Sequence, residues 1–246
     1  PNTAQMIVNY VNGVLTDAQS DLMLKDRSEP VSEASFPYVQ YMYNPSVLSA
    51  YNFVPGVMGL ILMLVCSMMT AISIVREKEY GTMELLLVSP VRPMSVIVSK
   101  AVPYLVLSVV NLVTILLLAR WVLDVPMRGS LLLLLLVSVL FILASLGLGL
   151  LISVIASTQK TALLISGMGL TMPTMIFSGI IFPCESMPVI LQYFSDIIPA
   201  KWYIIIVKKV MIEGVGFGYI YQEFLVLLAM TVFLLTVSIG LFRKRL

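Results

Sequence analysis

Five long apolar runs constrain the fold of this chain more than any other feature. Each run reaches roughly the 17 to 25 residues that a helix needs to cross the hydrocarbon core of a bilayer. The runs cover residues 53–75, 101–123, 130–157, 161–182 and 224–242. Because runs of this length rarely occur as core helices of soluble proteins, they predict an all-α integral membrane protein with five transmembrane helices in this sequence.

The composition agrees with a bilayer and excludes several classes of function. The 246 residues are 59% hydrophobic and 11% charged, whereas soluble domains carry about 25% charged residues. The sequence has no histidine, which removes His-based catalysis and His-containing metal sites, and no metal site is predicted. Scattered basic residues and a net charge of +2 give no case for nucleic-acid binding. Cys66 and Cys184 do not suggest a disulfide framework.

Basic residues in the short loops predict the orientation of the spans. One side of the membrane receives Arg76, Lys78, Arg92, Lys100, Lys160 and the 243–245 tail. Because Lys and Arg near the ends of spans favour the cytosol, we predict an outer N-terminus and a cytosolic C-terminus. Residues 1–52 are then the end of an extracytoplasmic domain, with a disordered leader as the alternative, and 53–246 are the transmembrane domain. Because the sequence starts at Pro1 without a signal peptide, we expect its true N-terminus to be missing.

Two of the runs carry further signals. Pro173 lies inside the fourth run, so we expect a kink in that helix. The third run has a small residue at every fourth position, namely Ser145, Gly149, Ser153 and Ser157. Small residues at this spacing let helices approach closely in lipid. They predict either a sliding contact in a dimer or bundle, or ordinary packing within one subunit.

The outer segment, residues 183–221, has a different character from the runs around it. Its aromatic residues and lysines are typical of a bilayer interface and include Trp202, Tyr203, Lys208, Lys209, Tyr219 and Tyr221. We expect a short amphipathic helix over residues 200–213 on the outer surface, stopped by Gly214 and Gly216. A re-entrant hairpin that enters the membrane is the alternative, because periodicity does not separate the two.

Residues 76–100 form a charged hairpin between the first two runs. Gly81 interrupts the incoming helix, and Thr82 is a suitable N-cap for a new one. Its apolar face would hold Met83, Leu86 and Leu87, before Ser89-Pro90 ends it. A helix of about two turns is marginal alone, so this pattern predicts docking on a partner. The alternative is a stop-transfer cluster followed by residues on the lipid surface.

The chain lacks the groups that would drive transport by itself. Residues 53–75, 101–119, 130–159 and 224–242 contain no Asp, Glu, Lys or Arg, which argues against ion-coupled transport. The sequence has no Walker A motif and no Gly-x-Ser-x-Gly elbow, so we expect no ATP hydrolysis by this chain. A charged hairpin between uncharged spans indicates that the driving force comes from another protein.

Three motifs resemble those of one family. Glu77-x-Glu79-x-Gly81-Thr-x-Glu84-x-Leu86-Leu, followed by Pro90, resembles the cytosolic signature of ABC-2 type permeases, the membrane subunits of ABC exporters. Tyr43-Asn-Pro45 with Val54-Pro-Gly56 is similar to the entry into that family's second helix. Pro199-x-x-Trp202 with Gly214 is similar to its outer segment before the last helix.

The resemblance implies an architecture and a docking element. The family has six spans, with a soluble extracytoplasmic domain between the first and the second, so this chain would lack the first span. The hairpin would be a coupling helix that sits in a groove of the ATP-binding subunit. The docking residues carried over from the family and their flanks are Arg76, Glu77, Glu79, Gly81, Thr82, Met83, Glu84, Leu86, Leu87, Pro90 and Arg92.

The resemblance also implies a function. The chain would be the permease subunit of an ATP-driven exporter that moves a hydrophobic or amphiphilic substrate out of the cytoplasm. It would not be an enzyme and would hold no cofactor, because ATP and Mg would bind to a separate ATPase subunit. Its partners would be that subunit, a second permease subunit, identical or different, membrane lipid and a periplasmic adaptor. Its location would be the bacterial inner membrane.

Two other functions remain as alternatives. A membrane scaffold could recruit a soluble partner through the same hairpin without transport. An intramembrane enzyme acting on lipid would need polar catalytic groups near the interface, and the outer segment offers Glu185, Asp196 and Glu213.

Overall fold

A computed structural model describes residues 11, 13–15, 50–82, 93–180 and 187–245. The chain divides into two units, Pro1–Ser49 and Ala50–Leu246. In the first unit the described residues are helical, and the predicted end of an extracytoplasmic domain otherwise lies outside the described residues. Every regular element in the described part of the chain is a helix, so the predicted all-α membrane fold is confirmed.

Eight α-helices form the second unit over its described residues. They are α1 (Ala50–Glu79), α2 (Pro93–Trp121), α3 (Leu131–Ile155), α4 (Gln159–Leu164), α5 (Thr171–Phe177), α6 (Val189–Asp196), α7 (Pro199–Lys208) and α8 (Tyr221–Arg245). A π-helical segment, Ile165–Leu170, joins α4 to α5, and a second one, Lys209–Glu213, continues α7. A single 3₁₀ turn, Phe217–Tyr219, precedes α8.

Four of these helices are long and apolar enough to cross a membrane. They are α1, α2 from Ser99, α3, and α8 as far as Leu241. These helices coincide with the first, second, third and fifth apolar runs. They arise because each run is long, uncharged and flanked by polar residues, which leaves a helix as the only way to satisfy its backbone in lipid.

The fourth apolar run is helical from Gln159 to Phe177 but is not a uniform α-helix. The π segment Ile165–Leu170 separates α4 from α5, and Pro173 follows within α5. Proline has no N–H to donate to the carbonyl of Gly169, and glycine itself disfavours the α-helix. A π segment therefore lies just before Pro173, where this run leaves α-helical geometry, and the kink expected at Pro173 stays a prediction.

Helices α1 and α3 occupy the centre of the bundle and lie against each other. Gly149 of α3 permits this contact, because a Cβ atom there would lie 2.6 Å from Ser67 O and 2.9 Å from Thr70 Cβ. The buried hydroxyls of Ser67 and Thr70 donate to Met63 O and Cys66 O of the preceding turn. The polar side chains of this contact are thus satisfied within α1, and small residues bring the two backbones close.

The other face of α3 carries α8. Ser238 Oγ of α8 donates a hydrogen bond of 2.8 Å to Gly147 O of α3, and both residues are buried. A Cβ atom at Gly147 would lie 3.2 Å from Leu234 Cβ. Different faces of α3 therefore pack against α1 and α8, and a glycine lies in each contact, Gly149 facing α1 and Gly147 facing α8.

Helices α6 and α7 form a sharply bent pair in the outer segment. The axis of α6 meets that of Pro199–Glu213, which is α7 with its π continuation, at 88°. Together these two helices have the length and composition of one broken span or a re-entrant loop. Helix α7 contacts α1, α3 and α8, and its Tyr203 and Ile204 are buried against Gly59 of α1, where a Cβ atom would lie 2.9 Å from Ile204 Cγ1. The two alternatives left open by the sequence, a helix on the outer surface and a re-entrant hairpin, stay predictions.

The physical reason for this packing is the apolar spacing in α7. Ala200, Tyr203, Ile204 and Val207 repeat at helical intervals and are all buried. Tyr203 stacks on Phe141 of α3 with ring centroids 4.2 Å apart, and a 2.8 Å hydrogen bond joins its hydroxyl to Ser138 Oγ. The apolar face of α7 therefore packs against helices of the same chain.

A buried cation lies at the corner of the bent pair. Lys201 is 8% exposed, and its Nζ forms an ion pair of 2.6 Å with Asp196 Oδ1. Trp202 Nε1 donates a 2.9 Å hydrogen bond to Asp196 O. The ionisable groups of the outer segment thus hold the bend together, since a buried ammonium requires a partner.

Candidate functional site

The charged end of α1 is the part of the predicted docking element that the structure describes. Helix α1 has 30 residues and is about 45 Å long, whereas the hydrocarbon core is about 30 Å thick. The helix ends at Glu79, and Gly81 adopts φ 72°, a left-handed conformation that glycine tolerates. Gly81 N donates to Lys78 O at 3.2 Å, and Thr82 Oγ1 donates to Glu77 O at 3.2 Å. Gly81 therefore ends the helix as its sequence position predicts.

Three consecutive residues, Glu77, Lys78 and Glu79, bind three different parts of the bundle; we call them the charged triplet. Glu77 forms an ion pair with Lys100 near the start of α2. Lys78 Nζ donates to Ser153 O in the last turn of α3. Glu79 Oε2 accepts hydrogen bonds from the backbone N and from Nε2 of Gln159 in α4, both at 3.0 Å.

The bonds of Lys78 and Glu79 match the electrostatics of helix ends. The last carbonyls of a helix carry partial negative charge, and its first N–H groups carry partial positive charge. Lys78 meets the carbonyl end of α3, and Glu79 meets the N–H end of α4, where Thr158 Oγ1 also accepts from Thr161 N at 3.2 Å. The hydrogen bonds from Gln159 lower the pKa of the Glu79 carboxyl, which lies beyond the apolar run 53–75, below its ordinary value of 4.5.

The C-terminal end of α1, the N-terminal part of α2 and the C-terminal end of α3 meet at one end of the bundle, and the α2–α3 connection lies at the other. Arg128 N in that connection donates to Met211 O of the second π segment at 3.1 Å. A Cβ atom at Gly129 would lie 2.2 Å from Val210 O. The bundle thus places Arg76, Lys78 and Lys100 together at the end away from Arg128, in agreement with the predicted grouping of these charges.

A cleft of about 670 Å³ opens beside the charged triplet. Its lining mixes charged, aromatic and apolar side chains, among them Arg76, Glu77, Lys100, Tyr80, Tyr104 and Met69. The Arg76 guanidinium lies 5.8 Å from the centre of the Tyr80 ring, a cation–π contact. Of the two arginines that flank the docking element, the structure describes the surroundings of Arg76, whereas Arg92 lies outside the described residues.

The remaining predicted docking residues lie outside the described residues. These are Met83, Glu84, Leu86, Leu87, Pro90 and Arg92. The structure therefore reports on Arg76, Glu77, Glu79, Gly81 and Thr82. Glu77 and Glu79 contact other helices of the same chain.

The predicted packing residues of α3 divide into two groups. Ser145, Gly149 and Ser153 are buried, and Gly149 contacts α1 of the same chain. The hydroxyls of Ser145 and Ser153 donate to Phe141 O and Leu150 O within α3. Ser157 is exposed, because α3 ends at Ile155. The sequence left open a sliding contact in a dimer or bundle and ordinary packing within one subunit. The contact at Gly149 is packing within one subunit.

Sequence reasoning missed the partners of the charged triplet. Lys78 and Lys100 were used only to predict the orientation of the spans, and no role was assigned to Gln159. Glu79 and Gln159 are 80 residues apart, so no local pattern joins them. One local signal does exist: Thr158 before a helical run marks an N-cap and hence a helix end that attracts a carboxylate.

The acidic residues considered for an intramembrane enzyme are dispersed. Asp196 pairs with Lys201, Glu213 is exposed at the end of the second π segment, and Glu185 lies outside the described residues. Among the described residues there is no group of three or more His, Cys, Asp or Glu that could hold a metal ion. Cys66 is buried as a free thiol between α1 and α3, and Cys184 lies outside the described residues.

The geometry defines a multi-pass, all-α membrane protein whose spans are tied together at one end by charged residues. The sequence matches the family of ABC-2 family transporter proteins over residues 1–239. The chain therefore belongs to the ABC-2 family of transporter proteins.

Named relatives agree with this assignment. The chain is 31% identical over 218 residues to the probable multidrug ABC transporter permease YbhS of Escherichia coli K12, a match that covers 87% of this chain and 56% of that protein. It is 30% identical over 244 residues to the probable multidrug ABC transporter permease YbhR of the same organism, covering 99% and 65%. The inner membrane transport permease YhhJ, also of Escherichia coli K12, is 29% identical over 242 residues, covering 97% and 62%.

The chain thus spans somewhat more than half the length of these curated relatives. No solved structure matches it.

Proposed function

We propose that this chain is the membrane-spanning part of a permease subunit in an ATP-driven ABC-2 exporter. The permease moves a hydrophobic or amphiphilic substrate out of the cytoplasm, and a separate ATPase subunit binds ATP and Mg. The observation that carries the proposal is the match to the ABC-2 family over residues 1–239, which includes the charged end of α1 and the hairpin after it.

The charge distribution supports coupling at that end. Arg76, Lys78 and Lys100 lie together where α1 ends and α2 begins, which suits the cytosolic side of a membrane. In this arrangement the protein lies in a bacterial inner membrane. Its N-terminal unit is outside the membrane, and its C-terminus is in the cytoplasm. Residues 76–100 would dock on the ATPase subunit, and closure of its ATP-binding dimer would move the spans.

The chemistry of the spans supports the proposed substrate class. The long helices offer apolar and hydroxyl-bearing side chains, and the charge of the buried Lys201 is neutralised by the half-exposed Asp196. Such surroundings favour molecules with a large apolar surface over small ions. Two relatives carry the word multidrug in their names. A second permease subunit and, outside the membrane, an adaptor would complete the assembly.

Transport in a reconstituted system tests the proposal. The full-length permease and the ATPase encoded beside it are co-purified and placed in proteoliposomes, with ethidium as the probe. Export predicts ATP-dependent movement of ethidium into vesicles whose ATPase faces the medium. A matched sample carries an ATPase whose P-loop lysine is replaced by alanine, and it should show no movement.

The same experiment separates the scaffold from the exporter. A permease that binds a partner without a P-loop, or binds an ATPase without moving a panel of amphiphiles that includes ethidium, would favour the scaffold. Absence of any bound ATPase would overturn the exporter.

A further inference from the structure

The charged triplet at the end of α1 contacts three helices that are distant in sequence. Successive residues of an α-helix point about 100° apart, so three in a row face three sides. Glu77 pairs with Lys100 of α2, Lys78 binds Ser153 O of α3, and Glu79 binds Gln159 of α4. One helical turn of α1 therefore touches the ends of three other helices.

Two of these contacts hold the connection between α3 and α4 from both sides. Lys78 places a positive charge at the carbonyl end of α3, and Glu79 places a negative charge at the N–H end of α4. Each charge has the sign that the helix end attracts, and each contact satisfies a backbone group that lacks a partner within its own helix. The turn of 156–158 between the two helices is thus fixed to α1 by a pair of opposite charges.

We propose that the charged triplet is an intramolecular clamp that carries movement of the 76–100 hairpin to α2, α3 and α4. Glu79 and Gln159 are positioning residues in this clamp and do not bind the ATPase. The inference rests on the proposed function, because it assigns part of the family's docking signature to contacts inside the permease. Docking itself would then fall to the hairpin beyond Thr82.

The clamp and the docking interpretation make opposite predictions for Glu79. If Glu79 bound the ATPase, its removal would lower ATPase binding. If Glu79 holds α4 to α1, the ATPase stays bound after its removal, and ATP turnover no longer produces transport.

Substitutions at both ends of the Glu79–Gln159 contact test the clamp in the full-length permease with its ATPase. Glu79→Ala removes the acceptor, and Gln159→Glu places two carboxylates together. The double variant Glu79→Gln with Gln159→Glu restores an amide facing a carboxylate in the reverse order. Glu213→Ala is the matched control, because it removes an exposed carboxylate at the other end of the bundle.

We expect three results from this set. Glu79→Ala and Gln159→Glu keep bound ATPase within about twofold of wild type and lose at least about fivefold in ethidium transported per ATP hydrolysed. The reversed pair recovers at least half of the wild-type ratio. Glu213→Ala matches wild type. A merely structural role would lower binding, turnover and transport together and would leave the ratio unchanged.

Amide hydrogen exchange reports on the clamp independently of transport. Loss of the bonds to Gln159 in Glu79→Ala should speed exchange of the peptide covering 156–164 by about fivefold, without a change in α8. Unchanged exchange in this peptide, or loss of bound ATPase in Glu79→Ala with normal exchange, would overturn the clamp.

A wild-type permease without bound ATPase or transport would contradict the proposed function instead. The exchange measurement would still decide whether the clamp exists.

Discussion

Gly149 is a position where the smallest possible substitution, glycine to alanine, should destabilise the helix bundle. Gly149→Ala adds one carbon, which would lie 2.6 Å from Ser67 O and 2.9 Å from Thr70 Cβ. Nonbonded carbon atoms prefer separations of about 3.5 to 4.0 Å, so α1 and α3 must move apart by several tenths of an ångström. Overpacking of this kind costs about 1 to 3 kcal/mol.

Gly240 of α8 provides the matched control. Both glycines lie in α-helices, so replacement by alanine gains about 1 kcal/mol of helix propensity at each. A Cβ atom at Gly240 meets no neighbour within 4 Å, in contrast to Gly149. The difference between the two variants therefore isolates the steric cost. At about 2 to 4 °C per kcal/mol for a chain of this size, Gly149→Ala should unfold about 5 °C below Gly240→Ala.

Cys66 supplies the assay. Its thiol is fully buried between α1 and α3, where Sγ donates to Ile142 O. In a Cys184→Ser background, a thiol-reactive coumarin maleimide should label Cys66 only as this contact opens, so its fluorescence during heating gives the transition temperature in detergent. Equal transition temperatures for Gly149→Ala and Gly240→Ala would refute the close contact of α1 with α3.

Three further substitutions test other parts of the structure. Ser138→Ala should destabilise the protein by about 1 kcal/mol more than Tyr203→Phe in thermal unfolding. Ser138→Ala leaves the buried Tyr203 hydroxyl without its partner, whereas in Tyr203→Phe the Ser138 hydroxyl keeps its bond to Leu134 O. Equal losses of stability would contradict the hydrogen bond between Ser138 and Tyr203. Gly81→Pro should leave membrane insertion intact but reduce co-purified ATPase, because proline cannot adopt φ 72°, and normal binding would show that the hairpin is not the dock. Because the pKa of Glu79 is lowered on folding, the bonds of its carboxylate stabilise the protein above pH 4.5, and this stabilisation is lost as the pH falls through the folded pKa. The difference in unfolding temperature between wild type and Glu79→Gln should therefore shrink below pH 4.5. A difference that does not change with pH would contradict ionisation of this carboxyl.

The spans were predictable from the sequence because their signal is local. An apolar run such as 130–157 needs no knowledge of its neighbours to be identified as a helix in lipid. The end of α1 was predictable for the same reason, since Gly81 alone supplies the left-handed residue that stops it. The π segment Ile165–Leu170 in the fourth run was not predicted, because it depends on the backbone around Gly167 and Gly169.

The packing of α7 was harder to predict because two signals compete in it. Trp202 and Lys208 have the composition of an interface, whereas Tyr203 and Ile204 have the spacing of a core face. The core face packs against Gly59 of α1, which leaves room for it and which no local pattern in α7 reveals. The contacts of Glu77 and Glu79 were beyond prediction from one sequence, since their partners lie 23 and 80 residues away.

The separation of Glu79 and Gln159 along the sequence also determines when their contact can form during synthesis. A ribosome adds roughly 5 to 20 residues per second, so Gln159 emerges on the order of 4 to 16 seconds after Glu79. During that interval α1 can already lie in the membrane while its charged end remains hydrated and unpaired with α4. The last turn of α1 therefore makes its contact with α4 only after α2 and α3 have been synthesised.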